Sequence, residues 1–295
     1  MRVAILGFGL IGGSLARALA TAADRDAWLV TAWSPAGEGT RQAVVDGVIE
    51  RAAATPAEAL EGAELVVLAA PPTATITLLE RLGNGLRATL EPDAVISDVA
   101  STKGTIVAAA TGRGLRFVGG HPMAGRETSG YAAASADLFA GRPWVVVPTD
   151  PDDTAAILTV ETLAVASGAR PVRMDAAEHD DAVAAISHLP LVVAAALVES
   201  VAGDSGADDG QAATEWQAAR RLAAAGWRDM TRLARGDVAM GSGIAVTNAP
   251  AISARLHRFR DVIDGWLAEL ERPGGPDEAA LADRLAAARD RLEPS

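Results

Sequence analysis

Cysteine is absent from the 295 residues, aromatic side chains make up 4%, and 26 basic residues face 38 acidic ones. The missing thiols exclude disulfides, thiolate metal sites and a cysteine nucleophile, which fits a cytoplasmic enzyme. A formal charge of −12 excludes a broad basic face, and with it a nucleic-acid partner. It leaves room for an anionic small molecule, because a cleft can be locally positive on an acidic protein. What replaces the aromatics is alanine. With 49% hydrophobic residues and a mean hydropathy of +0.19, the chain reads as globular, with a small-residue core and enough length for two domains.

No membrane segment is expected either. The start "MRVAILGFGLIGGSLARALA" imitates a signal peptide, but Arg17 interrupts its apolar run and its glycines have another purpose. Residues 182–198, "AVAAISHLPLVVAAALV", nearly reach spanning length, yet Ser187, His188 and Pro190 sit in the middle, so a buried helix is expected.

Up to residue 174, β-rich runs alternate with helical stretches. The expected strands are Val3–Leu6, Leu29–Trp33, Leu65–Ala69, Ala94–Asp98, Arg116–Val118, Trp144–Val147 and Pro171–Met174. Amphipathic segments such as Leu10–Ala20, Thr75–Arg87 and Ala155–Ser167 lie between them. Such alternation implies βαβ units and a parallel sheet covered on both faces. From Asp175 the β signal stops, and helices are expected over 176–202, 211–235 and 249–271, with one more after "RPGGPDE". The stretch 203–211 reads as a polar connection. The expected fold is α/β: a Rossmann-type parallel-sheet domain over 1–174, then an all-helical domain over 175–295.

"VAILGFGLIGGSLARAL" sets Gly7, Gly9 and Gly12 in a G-x-G-x-x-G pattern between a strand and a helix. Gly7 makes the tight turn, Gly9 lets the backbone approach a pyrophosphate, and Gly12 lets helix and strand pack. The helix N-terminus offers its free N–H groups to phosphate. Leu10 and Ile11 within the turn, and Ala70 and Pro71 of "APPT", complete the expected cofactor lining. An NAD site usually ends its second strand in Asp or Glu. Here "AWSPAGEGTRQ" puts Ser34 there, with Arg41 close behind, which favours the 2′-phosphate of NADP and leaves NAD as the alternative.

Ligands of open parallel sheets bind outside the carboxyl ends of the strands. "AVISDV" delivers "ASTKG", and "RFVGG" delivers His121, so Ser101, Lys103 and His121 are expected on the cofactor rim. Pro122 holds His121 extended, and Gly119 and Gly120 are expected to permit a sharp exit from the strand. An imidazole near its ordinary pKa suits a general base at neutrality. In "AEHDDAVAAISHLPLVVAAALV", Pro190 should kink the helix and free the Ile186 carbonyl, with His188 either lining a cavity or satisfied in the core. His179 and His257 read as structural or solvated. Arg228, Arg232 and Arg235 in "GWRDMTRLARGD" are either carboxylate ligands or a charged helix face. No metal site is expected.

Together, "GFGLIGGSLA", "DVASTKG", "GGHPMAG", "EHDDAVAAISHLP" and "GWRDMTRLA" resemble the prephenate/arogenate dehydrogenase family of tyrosine biosynthesis, in order and approximate spacing over almost the whole chain. The resemblance implies a nucleotide-binding domain, a helical domain that forms a homodimer, and NAD(P)-dependent oxidative decarboxylation of a cyclohexadienyl substrate. It implies that His121 and Ser101 meet the reacting hydroxyl while hydride leaves ring C4 for the nicotinamide, and that Arg232 holds the substrate carboxylate, with His188 and Lys103 as further substrate contacts. Many prephenate-using members read S-H-L-P-H; here the last position is Leu191. With Ser34, that departure resembles the NADP-preferring, arogenate-using branch, in which Glu178, Asp180 or Asp181 would read the substrate ammonium. A 3-hydroxyacid dehydrogenase is the competing enzyme, but it would want a lysine in the helical half, and 175–295 contain none. A non-enzymatic NADPH-binding protein is the remaining alternative. No length is expected for a fused mutase or a regulatory domain.

Overall fold

The computed structural model describes residues 1–126, 128–203 and 216–292. Strand β1 (Arg2–Leu6) lies inside the sheet, and Val3, Ala4, Ile5 and Leu6 are all buried. A short apolar run with no alternation suits such a strand, because both of its faces are covered. Val3 and Ile5 enter one hydrophobic cluster with Leu15, Trp144 and Leu163, while Ala4 and Leu6 enter the other with Leu60, Leu79 and Phe117. The core therefore has two layers, one on each side of the sheet.

The sheet order is β3-β2-β1-β4-β5-β6-β7-β8, with β2 (Leu29–Trp33), β3 (Arg51–Ala52), β4 (Leu65–Leu68), β5 (Val95–Asp98), β6 (Phe117–Pro122), β7 (Pro143–Pro148) and β8 (Arg170–Arg173). The first six strands pair in parallel. The order reverses between β1 and β4, which opens the crevice where such sheets bind ligands. The far edge departs from the parallel expectation: β7 runs antiparallel to β6, and β8 pairs in parallel with β7. Helices α1 (Leu10–Thr21), α2 (Glu38–Val45), α3 (Pro56–Leu60), α4 (Pro72–Gly83), α5 (Gly104–Thr111) and α6 (Thr154–Ala166) fill the connections. The two-residue β3 and the short α2, α3 and α5 carry too little periodicity to stand out in the sequence.

Two differences matter for the site. Strand β6 runs through Gly119, Gly120 and His121 to Pro122, with His121 paired to Val145, so the glycines do not form an exit. They are needed for close approach. A Cβ on Gly120 would lie 2.5 Å from the Asp98 carbonyl oxygen, and one on Gly119 would lie 3.0 Å from Lys103 Cδ. The second difference concerns Pro190. Helix α7 (Ala176–Val183) passes into a π-helical turn over Ala184–His188 and then into α8 (Leu189–Ala202), with Pro190 in the first turn of α8. The wider turn takes up the missing N–H, which is how a helix carries a proline without stopping.

Beyond Ala202, the connection expected at 203–211 lies outside the described residues from position 204 onward. The long helix expected over 211–235 is broken in its described part into a helical stretch at 216–220, α9 (Ala225–Met230) and a 3₁₀ turn at Leu233–Arg235. Helix α10 (Val238–Thr247) follows, capped by the Asp237 carboxylate on the Met240 N–H. Among the described residues, Ala176–Ala202 is long and apolar enough to cross a bilayer by length and composition. Its first half is tied to the sheet domain instead, where Asp180 accepts hydrogen bonds from the backbone of Lys103 and Gly104.

By its contacts the chain divides after Ala249. The second unit holds helices α11 (Ala249–Leu270) and α12 (Glu278–Asp290). Arg284 joins them, its guanidinium 4.4 Å from the Trp266 ring centre and donating to the Val262 carbonyl. His257 on α11 is exposed, as its arginine-rich surroundings suggested.

Candidate active site

The glycine-rich turn has the shape that its sequence requires. Gly7 adopts φ +103°, and a Cβ there would stand 2.2 Å from the Ala69 carbonyl oxygen. A Cβ on Gly12 would meet the Gly7 carbonyl oxygen at 2.4 Å. Gly9 differs, because among the described residues nothing lies within 4 Å of where its Cβ would be. Two glycines thus pack the turn, and the third leaves bare backbone at the start of α1, whose first residue has no side-chain cap. Half-buried Leu10, Ile11, Ala70 and Pro71 lie on the two strand-to-helix turns that flank the switch point. The residues present fit a dinucleotide: uncapped N–H groups and open backbone where a pyrophosphate needs both.

At the end of β2, Ser34 Oγ accepts from the Gly37 N–H at 3.2 Å. Gly37 has φ +69°, and a Cβ there would meet Arg41 Nη1 at 2.6 Å, so the exposed guanidinium folds back over the Ser34 loop. Tyr131 closes the other flank. It stacks on Phe8 with 5.3 Å between ring centres, lies under the Arg17 guanidinium, and donates to Asp46 at 2.9 Å. Burial raises its pKa to about 12, helped by that hydrogen bond. This clip joins the segment after β6 to α1 and α2, and nothing in the local sequence pattern announces it.

His121 is buried apart from 8% of its surface. Its Nδ1 lies 2.8 Å from His179 Nε2, and among the described residues no protein group bonds its Nε2. Burial pushes its pKa well below the ordinary value, and a positive charge on His179, Lys103 or His188 would lower it further. The imidazole is therefore neutral near pH 7 with an uncommitted nitrogen, the state a general base requires. Behind it, His179 Nδ1 is 2.8 Å from Asp180 Oδ1. Asp180 also accepts from Lys103 N at 2.7 Å and Gly104 N at 2.8 Å, the first N–H groups of α5. Burial opposes ionisation of Asp180, but the bonds from His179 and these two amides hold its carboxyl below the usual range.

Lys103 is the chain's single lysine, and it does not stand on the rim. It is wholly buried, and its ammonium pairs with Asp98, which also accepts from Ala100 N and Gly120 N. Burial lowers its pKa, and Asp98 works against that shift. The expectation that Lys103 touches substrate is corrected: its charge is committed beneath the site. Asp180 is committed too, to two amides and a ring, so it is not available to an ammonium. His179, expected to be structural or solvated, is fully buried and directly behind His121.

His188 is also fully buried. Its Nδ1 lies 3.2 Å from Asn248 Nδ2, which donates to the Asp180 carbonyl as well, while among the described residues its Nε2 makes no hydrogen bond of ordinary geometry. Burial brings its pKa down to about 4, against the raising effects of Asp180 and the Ser101 backbone. Half-buried Ser101 follows β5. Arg232 is exposed, between α9 and the Leu233–Arg235 turn. Leu191 faces α10, with its Cδ2 3.7 Å from where a Gly241 Cβ would be. Neither Asp98 nor Asn248 carries a local sequence signal that marks it for this place.

A glycine-rich nucleotide crevice that shares its sheet with a neutral, open imidazole is the site of a nucleotide-dependent oxidoreductase. The comparisons with known proteins narrow that class. The family model described as prephenate dehydrogenase, nucleotide-binding domain, matches residues 18–173, and the one described as prephenate dehydrogenase, dimerization domain, matches 175–278. A prephenate dehydrogenase of Bacillus subtilis is 32% identical over 273 residues, covering 92% of this chain and 68% of its own. The crystal structure of Synechocystis arogenate dehydrogenase superposes with a TM-score of 0.77 at 29% identity, covering 99% of this chain and all of that one. A prephenate dehydrogenase from A. aeolicus, in complex with hydroxyphenyl propionate and NAD+, shares the fold with a TM-score of 0.81 at 24% identity, over 99% of this chain and 98% of its own. The chain belongs to the prephenate/arogenate dehydrogenase family.

Proposed function

We propose that the protein oxidatively decarboxylates arogenate to tyrosine with NADP as the preferred cofactor and His121 as the base. The observation that carries this reading is the open Nε2 of a neutral, buried His121 at the carboxyl end of β6. That nitrogen accepts the proton of the ring C4 hydroxyl, with the Ser101 hydroxyl as the second group at that oxygen. A bound nicotinamide supplies the hydride acceptor. Loss of the ring carboxylate as CO2 then leaves an aromatic ring, which makes the step effectively irreversible. Arg232 holds the remaining carboxylate as a guanidinium fork, while the fully buried His188, held by Asn248, stands behind the site as support and not as a direct substrate contact.

Leu191 supports arogenate over prephenate, because an apolar side chain there offers nothing to a keto acid. Of the acids considered for the ammonium, Glu178 and Asp181 are the exposed ones. Ser34 and the Arg41 guanidinium over Gly37 support NADP. Prephenate is the second reading, favoured by the name of the 32% identical Bacillus subtilis relative.

The functional halves are residues 1–174, which bind the cofactor, and 175–295, which complete the substrate site and form a homodimer in the cytoplasm. The dimerization model over 175–278 supports that pairing. So does the apolar surface of the helical half within the first unit, where Ile186, Val238 and Val246 are 70%, 84% and 71% exposed. Steady-state kinetics with both substrates and both cofactors test the reading: the highest kcat/KM is expected for arogenate with NADP, and a clear preference for prephenate or NAD overturns that part. His121→Asn should lower kcat by ~10²–10⁴-fold, and unchanged turnover would remove His121 as base.

A further inference from the structure

His121 does not end the hydrogen-bonded chain it belongs to. Its Nδ1 meets His179 Nε2, and His179 Nδ1 meets a carboxylate that is already fixed by the first amides of α5. We infer that His179 and Asp180 are positioning residues that lock His121 in the tautomer protonated on Nδ1, leaving its Nε2 with a bare lone pair.

Donor and acceptor roles along the chain fix the tautomer. An ionised carboxylate can only accept, so the proton in the His179–Asp180 bond belongs to His179 Nδ1. A neutral imidazole with its proton on Nδ1 has only a lone pair on Nε2. The 2.8 Å contact with His121 therefore needs a donor on His121 Nδ1, and the second nitrogen of His121 is left as an acceptor. Asp180 is fixed at three points: Oδ1 by Lys103 N and by the His179 ring, and Oδ2 by Gly104 N. A Cβ on Gly104 would stand 3.0 Å from Oδ2, so the helix start and the carboxylate fit closely. Asn248 steadies the same turn through the Asp180 carbonyl. The two rings meet edge to face, 77° apart with centres 5.1 Å apart, which leaves a hydrogen bond but no stacking to orient His121.

The same carboxylate serves a second purpose. As proton accumulates on His121 during the reaction, positive charge spreads toward His179, and Asp180 is the anion behind it. Its two backbone bonds hold it where that charge develops, as a buried acid does behind other catalytic imidazoles.

The kinetic arms of the test rest on His121 being the base, whereas the tautomer is read in the resting protein whatever the substrate, so failure of one is distinguishable from failure of the other. The chain has four histidines, at 121, 179, 188 and 257, so the ring nitrogens of the ¹⁵N-labelled protein can be assigned by single replacement. At pH 7.5 the wild-type His121 is expected to show a protonated Nδ1 and a bare Nε2, with His179 neutral and also protonated on Nδ1. A His121 protonated on Nε2, or a doubly protonated His179, overturns the inference. His179→Phe removes the acceptor and should free His121 to exchange between tautomers, with a fall in kcat of ~10²-fold or more and a smaller change in KM. His179→Gln, whose amide oxygen can still accept from Nδ1, should restore the tautomer signature and most of kcat. Wild-type kcat in folded His179→Phe, or a His179→Gln variant no better than His179→Phe, overturns it. Because the tautomer is read directly, a folding defect in one variant leaves the wild-type spectrum decisive.

Discussion

The backbone of Gly120 lies so close to Asp98 that a single added methyl would stand 2.5 Å from the Asp98 carbonyl oxygen, and 3.0 Å from Trp144 Nε1. Neither neighbour can yield, since one is strand backbone and the other belongs to a fully buried side chain. Gly120→Ala should therefore push β6 from β5 and move His121 with it. The expected loss is ~1–3 kcal/mol of stability from overpacking, with a larger proportional loss of kcat than of substrate affinity. Gly9→Ala is the contrast, because among the described residues nothing lies within 4 Å of where its Cβ would be: stability should hold while cofactor KM rises. Urea unfolding and cofactor titration of the two variants check both halves. A fully stable, fully active Gly120→Ala would show that the close approach is not needed.

How much of this could be read beforehand follows from where the signals are local. The glycine turn, the alternating strands and the placing of His121 at a strand end are written in short stretches, each with its own steric reason. The meaning of Gly119 and Gly120 is not local, because what they avoid, Lys103 and Asp98, comes from β5 and the turn that follows it. His179 shows the limit more sharply. In a straight α-helix, nine residues at about 100° each set His179 and His188 on opposite faces, so one looks solvated if the other is buried. The π-helical turn at Ala184–His188 changes that phase, and both rings are buried. Pro190 signalled an irregularity there, but a kink and a π turn begin from the same missing N–H. Lys103 looked like a rim cation for a related reason. Its position after β5 is legible, whereas the inward turn of its side chain toward Asp98 depends on the fold.

That inward turn makes Lys103 a test of stability, not of substrate affinity. Both partners are fully buried, so Lys103→Met would leave the Asp98 carboxylate without its counter-charge. Breaking such a pair typically costs ~3–5 kcal/mol. Lys103→Arg should not restore the loss, since a methyl-sized group at Gly119 would already be 3.0 Å from Lys103 Cδ and a guanidinium needs more room. Denaturant midpoints of the two variants measure this. A loss below about 1 kcal/mol in Lys103→Met, the range of an exposed pair, would mean that the buried pair is not holding the site together.

Cofactor choice turns on the loop after β2. Ser34 Oγ is held by the Gly37 N–H, and Arg41 Nη1 would stand 2.6 Å from a Cβ on Gly37. If the guanidinium reads a 2′-phosphate, Arg41→Ala should lower kcat/KM for NADP by ~10-fold or more while leaving NAD nearly unchanged, the size expected for one charged hydrogen bond. Adding Ser34→Asp should turn the preference toward NAD, because a carboxylate there pairs with a free ribose hydroxyl and repels a phosphate. Equal losses with both cofactors in Arg41→Ala would show that Arg41 does not discriminate.

Acid sensitivity follows from the two lowered imidazoles. In the folded protein His188 titrates at about 4, and His121 is also held well below its ordinary value. Unfolded, both return to about 6.5. Between those limits the unfolded chain binds more protons than the folded one, so stability rises with pH across the window and is lost as pH falls through 6.5 toward 4. For His188 alone the full span is worth roughly 3 kcal/mol, of which about 1 kcal/mol should be gone by pH 5.5. The lowered carboxylates do not confuse the measurement. Asp153, at about 2, and Asp180, below 3.8, lose their contributions only under pH 4. The urea midpoint should therefore fall between pH 7.5 and 5.5, and His188→Gln should flatten that slope, since a glutamine oxygen can accept from Asn248 Nδ2 without taking up a proton. An unchanged midpoint over that range would mean that the histidines are charged, or solvated, in the folded protein. The same slope in His188→Gln would assign the effect to His121 alone.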